Sequence, residues 1–93
     1  MTRPAASQKP RLARGCRLSE ASGQEATLLM PEGALRLNGP GLKIIESCDG
    51  ARTVSEILKE LETAFPSADA RRIEEDTLRF LETLHEKRAV DFE

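Results

Sequence analysis

General acid–base catalysis needs two titratable groups that converge on one point, and Glu74, Glu75 and Asp76 are the densest carboxylate group in the chain. Being consecutive, they fan around a helix and do not converge, so they read as a solvated helix face. The single histidine, His85, lies near the end of the same stretch, where a cation complements the helix dipole; it reads as a surface residue. Cys48 falls at a helix C-terminus, where the dipole disfavours a thiolate, and this argues against a nucleophile. Ser19, Ser47, Ser55 and Ser67 have no histidine nearby, and the first three read as loop or helix-surface residues. Gly39-Pro40-Gly41 lacks the spacing of a phosphate-cradling loop. Cys16 and Cys48 are too far apart for a CxxC motif, and one histidine cannot complete an ordinary zinc site. They read as two reduced thiols. These residues predict a protein without catalytic machinery.

The composition points the same way. A chain of 93 residues buries only about 60% of its unfolded surface, and with no Trp or Tyr and three Phe its core must be built from Leu, Ile and Val. A large enclosed ligand cavity is therefore not expected. Five bases, Arg3, Lys9, Arg11, Arg14 and Arg17, precede the first acid, leaving nine bases against sixteen acids in the remainder. Such a basic lead-in can bind nucleic acid, but it serves equally to keep a tail solvated or to touch an acidic partner. No apolar run approaches the roughly 18–20 residues of a membrane span, and no apolar segment follows the basic N-terminus. The expected location is the cytoplasm.

These side chains are carried by an α+β pattern, strands first and helices after. Residues 1–10 hold two Pro and almost nothing apolar, and are expected to form a disordered arm, with residues 11–93 as a single domain. Leu12, Cys16 and Leu18 share one parity around Gly15, as in a short irregular strand. Residues 19–25 are polar and loop-like. Ala26 to Met30 and Ala34 to Asn38 form a hairpin through a three-residue Pro31-Glu32-Gly33 turn. A short helix follows, capped by Asn38 and ended by Asp49-Gly50. Thr53 with Glu56 is a capping box, after which Val54, Ile57, Leu58, Leu61 and Phe65 trace one helix face until Pro66. Ser67 or Asp69 caps the last helix, which is expected to reach about Arg88. Its inner stripe is Ile73, Thr77, Phe80, Leu81 and Leu84, with Leu78 at the edge of the core. Val90 and Phe92 are placed to fold back onto the sheet.

A small sheet followed by three helices admits three uses. In a winged-helix DNA-binding protein, Arg71 and Arg72 suit a recognition helix, whereas Glu74, Glu75 and Asp76 would repel phosphates. A structural dimerisation module would self-associate. In a peptide-capture module, Ala34 to Asn38 would be an edge strand whose unpaired N–H and C=O groups accept an added strand.

Arg14-Gly15-Cys16-Arg17-Leu18, then Leu28 to Gly33 with its Pro-Glu-Gly, then Leu35-Arg36-Leu37-Asn38, then Cys48 to Ile57 reading CDGARTVSEI, then Phe80-Leu81, together resemble the PqqD family. That family comprises peptide chaperones of pyrroloquinoline quinone (PQQ) biosynthesis. The resemblance runs over nearly all of residues 10–90 and implies a winged-helix-like domain, a three-stranded antiparallel sheet followed by three helices, that is not an enzyme. It implies as partners the precursor peptide PqqA and the radical SAM enzyme PqqE, and leaves a homodimer open. It implies no cofactor in this chain, since SAM and iron–sulfur clusters belong to the partner enzyme. The implied peptide site is the strand Ala34, Leu35, Arg36, Leu37 and Asn38 with Arg71, Arg72, Glu75, Leu78 and Arg79 of the last helix. The sequence departs from the family in lacking an aromatic residue before Leu28, in Pro40-Gly41 after the Leu-Asn pair, and in Arg88-Ala89-Val90 where a Gly-Leu-Leu type ending is common.

Overall fold

The computed structural model describes residues 3–20, 25–31 and 33–93. The chain runs β1 (Pro10–Leu12), β2 (Arg17–Glu20), β3 (Glu25–Met30), β4 (Gly33–Asn38), α1 (Gly39–Glu46), α2 (Val54–Ala64), α3 (Ala70–Glu86) and β5 (Val90–Phe92). The α+β expectation of a three-stranded antiparallel sheet and three helices holds, with the sheet ordered β2-β3-β4 and a second, two-stranded sheet made by β1 and β5.

That second sheet is where pattern and fold part. Parity alone joins Leu12, Cys16 and Leu18 into one strand, but Gly15 turns the chain at φ 89° and the Cys16 N–H bonds back to the Ala13 carbonyl at 3.1 Å. A residue with a Cβ is strained at such a φ. The segment therefore divides: β1 pairs with β5, Leu12 opposite Val90, while β2 pairs with β3, Leu18 opposite Leu28. The C-terminal tail returns to the body as expected, but onto β1 and not onto the three-stranded sheet.

The β3–β4 hairpin forms as expected, with Leu28 opposite Leu35 and Ala26 opposite Leu37. Met30 faces Gly33, so Gly33 belongs to the strand and the connection is shorter than the three-residue turn expected. Glu32, residues 21–24 of the polar loop and the Asn38 side chain expected to cap α1 lie outside what is described. Leu28, Leu37, Ile44, Ile45, Val54, Ile57, Leu61, Leu81, Leu84 and Val90 form one buried cluster between the sheet and the helices. Burial of each such side chain contributes about 1.5–3 kcal/mol before entropy is counted.

The helix ends follow their local signals. Thr53 Oγ1 accepts from the Glu56 N–H at 3.2 Å and Glu56 Oε1 accepts from the Thr53 N–H at 2.8 Å, the reciprocal capping box. Asp69, not Ser67, caps α3 by accepting from the Arg71 N–H at 2.9 Å. The first helix ends at Glu46, three residues earlier than the Asp49-Gly50 stop; Asp49 instead forms a bridge with Arg11. With β1 crossing there, Ser47 is buried and its hydroxyl has no hydrogen-bond partner among the described residues, so it is not the surface residue expected.

Residues 3–9, expected to be without fixed structure, lie along the domain here. The Gln8 and Ala6 carbonyls accept from Val54 and Ser55, and Lys9 and Glu93 exchange both backbone hydrogen bonds. Pro4 and Pro10 are buried. The physical reason is that the arm supplies acceptors to backbone N–H groups that the start of a helix leaves unpaired.

Candidate functional site

An antiparallel sheet ordered β2-β3-β4 leaves β4 with one partner, so among the described residues its outer edge is unpaired. Along β4 the pleat alternates: Leu35 and Leu37 turn toward the helices, while Ala34 and Arg36 are exposed on the other face. The strand passes directly into α1. At that joint Gly41 lies beside Leu37 and Phe80: a Cβ on it would stand in ordinary van der Waals contact, 3.7 Å from Leu37 Cδ2 and 3.8 Å from Phe80 Cζ. Phe80 of α3 is thus packed next to the joint between β4 and α1.

Beside this contact lies a cleft of about 480 Å³. Pro40, Gly41 and Ile44 of α1, Leu61 of α2, Phe65 that caps α2, and Ile73, Thr77 and Phe80 of α3 line it together with Asp69, Arg72 and Asp76. The arrangement offers backbone hydrogen-bonding groups on one side and apolar surface on the other, which is what an extended peptide segment requires.

The residues of α3 singled out from sequence are distributed around the helix. Arg71, Arg72, Glu75 and Arg79 are exposed and line a shallow polar concavity with Asp69 and Asp76. Their charges are largely matched within the helix, Arg72 with Asp76 at 3.8 Å and Arg79 with Glu75 at 3.4 Å. Only Arg72 among them also reaches the apolar cleft. Leu78 is half-buried against the core. At about 100° per residue it lies on the flank of the inner stripe opposite Phe80. One turn further on, Glu82 on that same flank pairs with Arg3 of the N-terminal segment at 3.6 Å. The structure thus places Phe80 beside the joint between β4 and α1, with Arg72 and Ile73 lining the same cleft as Phe80. Periodicity reads Ile73 and Phe80 as core; the signal that they could do more is that Phe80 stands on the side of the stripe that also carries Asp76 and Arg72.

Cys48 and His85 are both held in structural contacts. Burial, with Asp49 nearby, pushes the Cys48 thiol up to about 12, and its Sγ donates to the Ile44 carbonyl at 3.2 Å. Burial therefore silences this thiol more than the helix end does. Cys16 is raised as well, by burial and then by Asp91. His85 is not a free surface residue: its ring stacks on Phe92 with centroids 4.6 Å apart, and Nδ1 lies 3.0 Å from the Val90 carbonyl. Among the described residues no three His, Cys, Asp or Glu gather as metal ligands, and no helix is long and apolar enough to cross a membrane.

The sequence model of coenzyme PQQ synthesis protein D, PqqD, matches residues 25–90. The chain belongs to the PqqD family. Relatives of similar length include the PqqA binding protein of Azotobacter vinelandii, 37% identical over 83 residues with 88% of each chain covered. The PqqA binding protein of Pseudomonas aeruginosa is 37% identical over 86 residues, covering 91% of each. In three dimensions the chain is similar to the PqqD part of Methylobacterium extorquens PqqCD, solved in solution as a stand-alone recognition element for ribosomally synthesised, modified peptides. That likeness has a TM-score of 0.74 at 34% identity and covers 94% of this chain and 93% of that one. The heterocyclase TruD contains the same fold, with a TM-score of 0.59 at 18% identity over 12% of its length. PqqD-family membership thus accounts for the Pro-Glu-Gly and CDGARTVSEI segments, which build the hairpin end and the α1–α2 joint.

Proposed function

We propose that this PqqD-family chain is a non-enzymatic peptide carrier in PQQ biosynthesis: it binds PqqA as an added strand along β4 and presents it to the radical SAM enzyme PqqE. The observation that carries this reading is the unpaired edge of β4 running into the apolar cleft beside Phe80. The relatives' own function as PqqA binding proteins supports the choice of peptide. Redox chemistry, SAM and iron–sulfur clusters belong to the partner enzyme, and the site of action is the cytoplasm. The contribution of β4 is through its backbone, with Arg72, Ile73 and Phe80 facing the bound strand; Arg71, Glu75 and Arg79 border it.

A groove-reading DNA helix would need the arginines of α3 free, whereas Arg72 and Arg79 already lie beside Asp76 and Glu75. Titrating isotope-labelled protein with PqqA tests the reading. Amide shifts are expected in residues 33–38 and along the Arg72–Phe80 flank of α3. Shifts absent from both regions, or self-association with no response to peptide, would sink it.

A further inference from the structure

Of the two side chains that β4 exposes on its open face, Ala34 and Arg36, only Arg36 is charged. The face of the three-stranded sheet turned away from the helices carries Arg17 opposite Leu29 and Ala34 next to it, then Ser19, Thr27 and Arg36 in the following row. Arg3, Arg11, Arg52, Arg72 and Arg79 each have a carboxylate within 4.0 Å. Arg36 is exposed and, like Arg14, Arg17, Arg71 and Arg88, has none among the described residues; it alone of these lies on β4. Glu25, two residues along the same face of β3 from the partner of Arg36, is exposed and is in no ion pair among the described residues.

An added strand continues the pleat of the strand it joins, so its side chains alternate between the helix side and the open face just as those of β4 do. On the helix side they meet Leu35, Leu37 and Phe80. On the open face, the side chain laid beside Arg36 is about 5 Å away across the new pair. We infer that Arg36 selects the peptide and fixes its register: the bound segment has apolar residues at alternate positions, and an acidic residue between two of them pairs with Arg36. This rests on strand addition at β4 and goes beyond it by naming the side-chain pattern that is read. Opposite charges directly across a strand pair attract, and like charges there repel, so one side chain both favours the correct register and penalises its neighbours.

Arg17 provides an internal control. It lies on the same open face, but two strands away from β4, hence about 14 Å from an added strand. That exceeds the screening length of about 8–10 Å near physiological salt.

The test measures binding of fluorescently labelled PqqA to the wild-type chain, R36E and R17E near physiological salt, with amide shifts of residues 33–38 followed in parallel. R36E is expected to weaken binding about 3- to 10-fold, R17E to leave it nearly unchanged, and one PqqA variant with a single acidic residue changed to Lys to recover affinity for R36E. Unchanged affinity in R36E, equal losses in R36E and R17E, or no recovering peptide would overturn the role of Arg36 while shifts at residues 33–38 keep strand addition standing. A wild-type titration without those shifts would remove strand addition and the role of Arg36 together.

Discussion

Arg88 is the residue whose backbone works against its side chain. It sits at φ 60°, the one non-glycine residue with positive φ among those described, just past the Lys87 cap of α3. The Ala89 N–H reaches the Leu84 carbonyl at 2.8 Å and the Arg88 N–H reaches that of His85 at 3.0 Å. This is the paired Schellman closure, which ordinarily places Gly at the left-handed position. A Cβ there costs about 1–2 kcal/mol, partly offset because Gly is freer in the unfolded chain. Arg88→Gly is therefore expected to stabilise the domain by about 1 kcal/mol in urea unfolding, without changing peptide affinity, since the groove lies at the other end of α3. The sequence already marked this position, where the family often has Gly; it could not show that the helix would keep the closure and accept the strain.

At the scale of elements, the start of α2 is held more fully than its own sequence implies. Thr53 and Glu56 form the box, and the arm's Gln8 and Ala6 carbonyls take the next two orphan donors, Val54 and Ser55. Thr53→Ala is expected to cost about 1 kcal/mol. Hydrogen bonds from the Thr53 backbone and hydroxyl hold the Glu56 carboxyl below its ordinary value of 4.5. The Ala51 and Arg52 N–H groups likewise hold Asp49 below 3.8. For a depressed carboxylate, the stabilisation is complete above the ordinary pKa and is lost as pH falls through the folded value. Thermal midpoints should therefore drop on acidification below about pH 4.5, and Glu56→Gln should flatten part of that decline. An acid limb identical in the variant would contradict the assignment. The box was legible because both partners are three residues apart; the Gln8 and Ala6 carbonyls were not, because they come from over 40 residues earlier in the chain.

At the scale of the molecule, the segment from Arg3 onward and the C-terminal β5 are drawn onto one body. The radius of gyration, 12.4 Å, is that of a compact domain of this length, about 12 Å, with the arm included. The Arg3–Glu82 pair is partly exposed and contributes little by itself; the backbone acceptors and buried Pro4 matter more. Removing residues 1–8 is expected to speed hydrogen exchange at Val54 and Ser55 selectively, because their acceptors leave, while Leu81 and Leu84 in the core keep slow exchange. Loss of protection throughout would mean that the arm belongs to the cooperative unit. Unchanged exchange at Val54 and Ser55 would mean that the arm does not cap α2 in solution.

What the sequence determined by itself was whatever is written within a few residues or one helical turn: the existence of the β3–β4 hairpin, the Thr53/Glu56 box, and the inner stripe of α3. The family signature belongs here too, since its segments are local. Tertiary structure decided what depends on distant parts meeting. Gly15 split one expected strand into two sheets because β5, nearly 80 residues later, was there to pair with β1. Ser47 and His85 lost their expected surface places to β1 and Phe92. The flank of α3 facing the end of β4 was set by the packing of Phe80 beside Gly41 and Leu37, a contact between distant segments that no periodicity encodes. The same placement turned Arg36 from one polar residue in an alternating strand into the exposed charge beside the open edge.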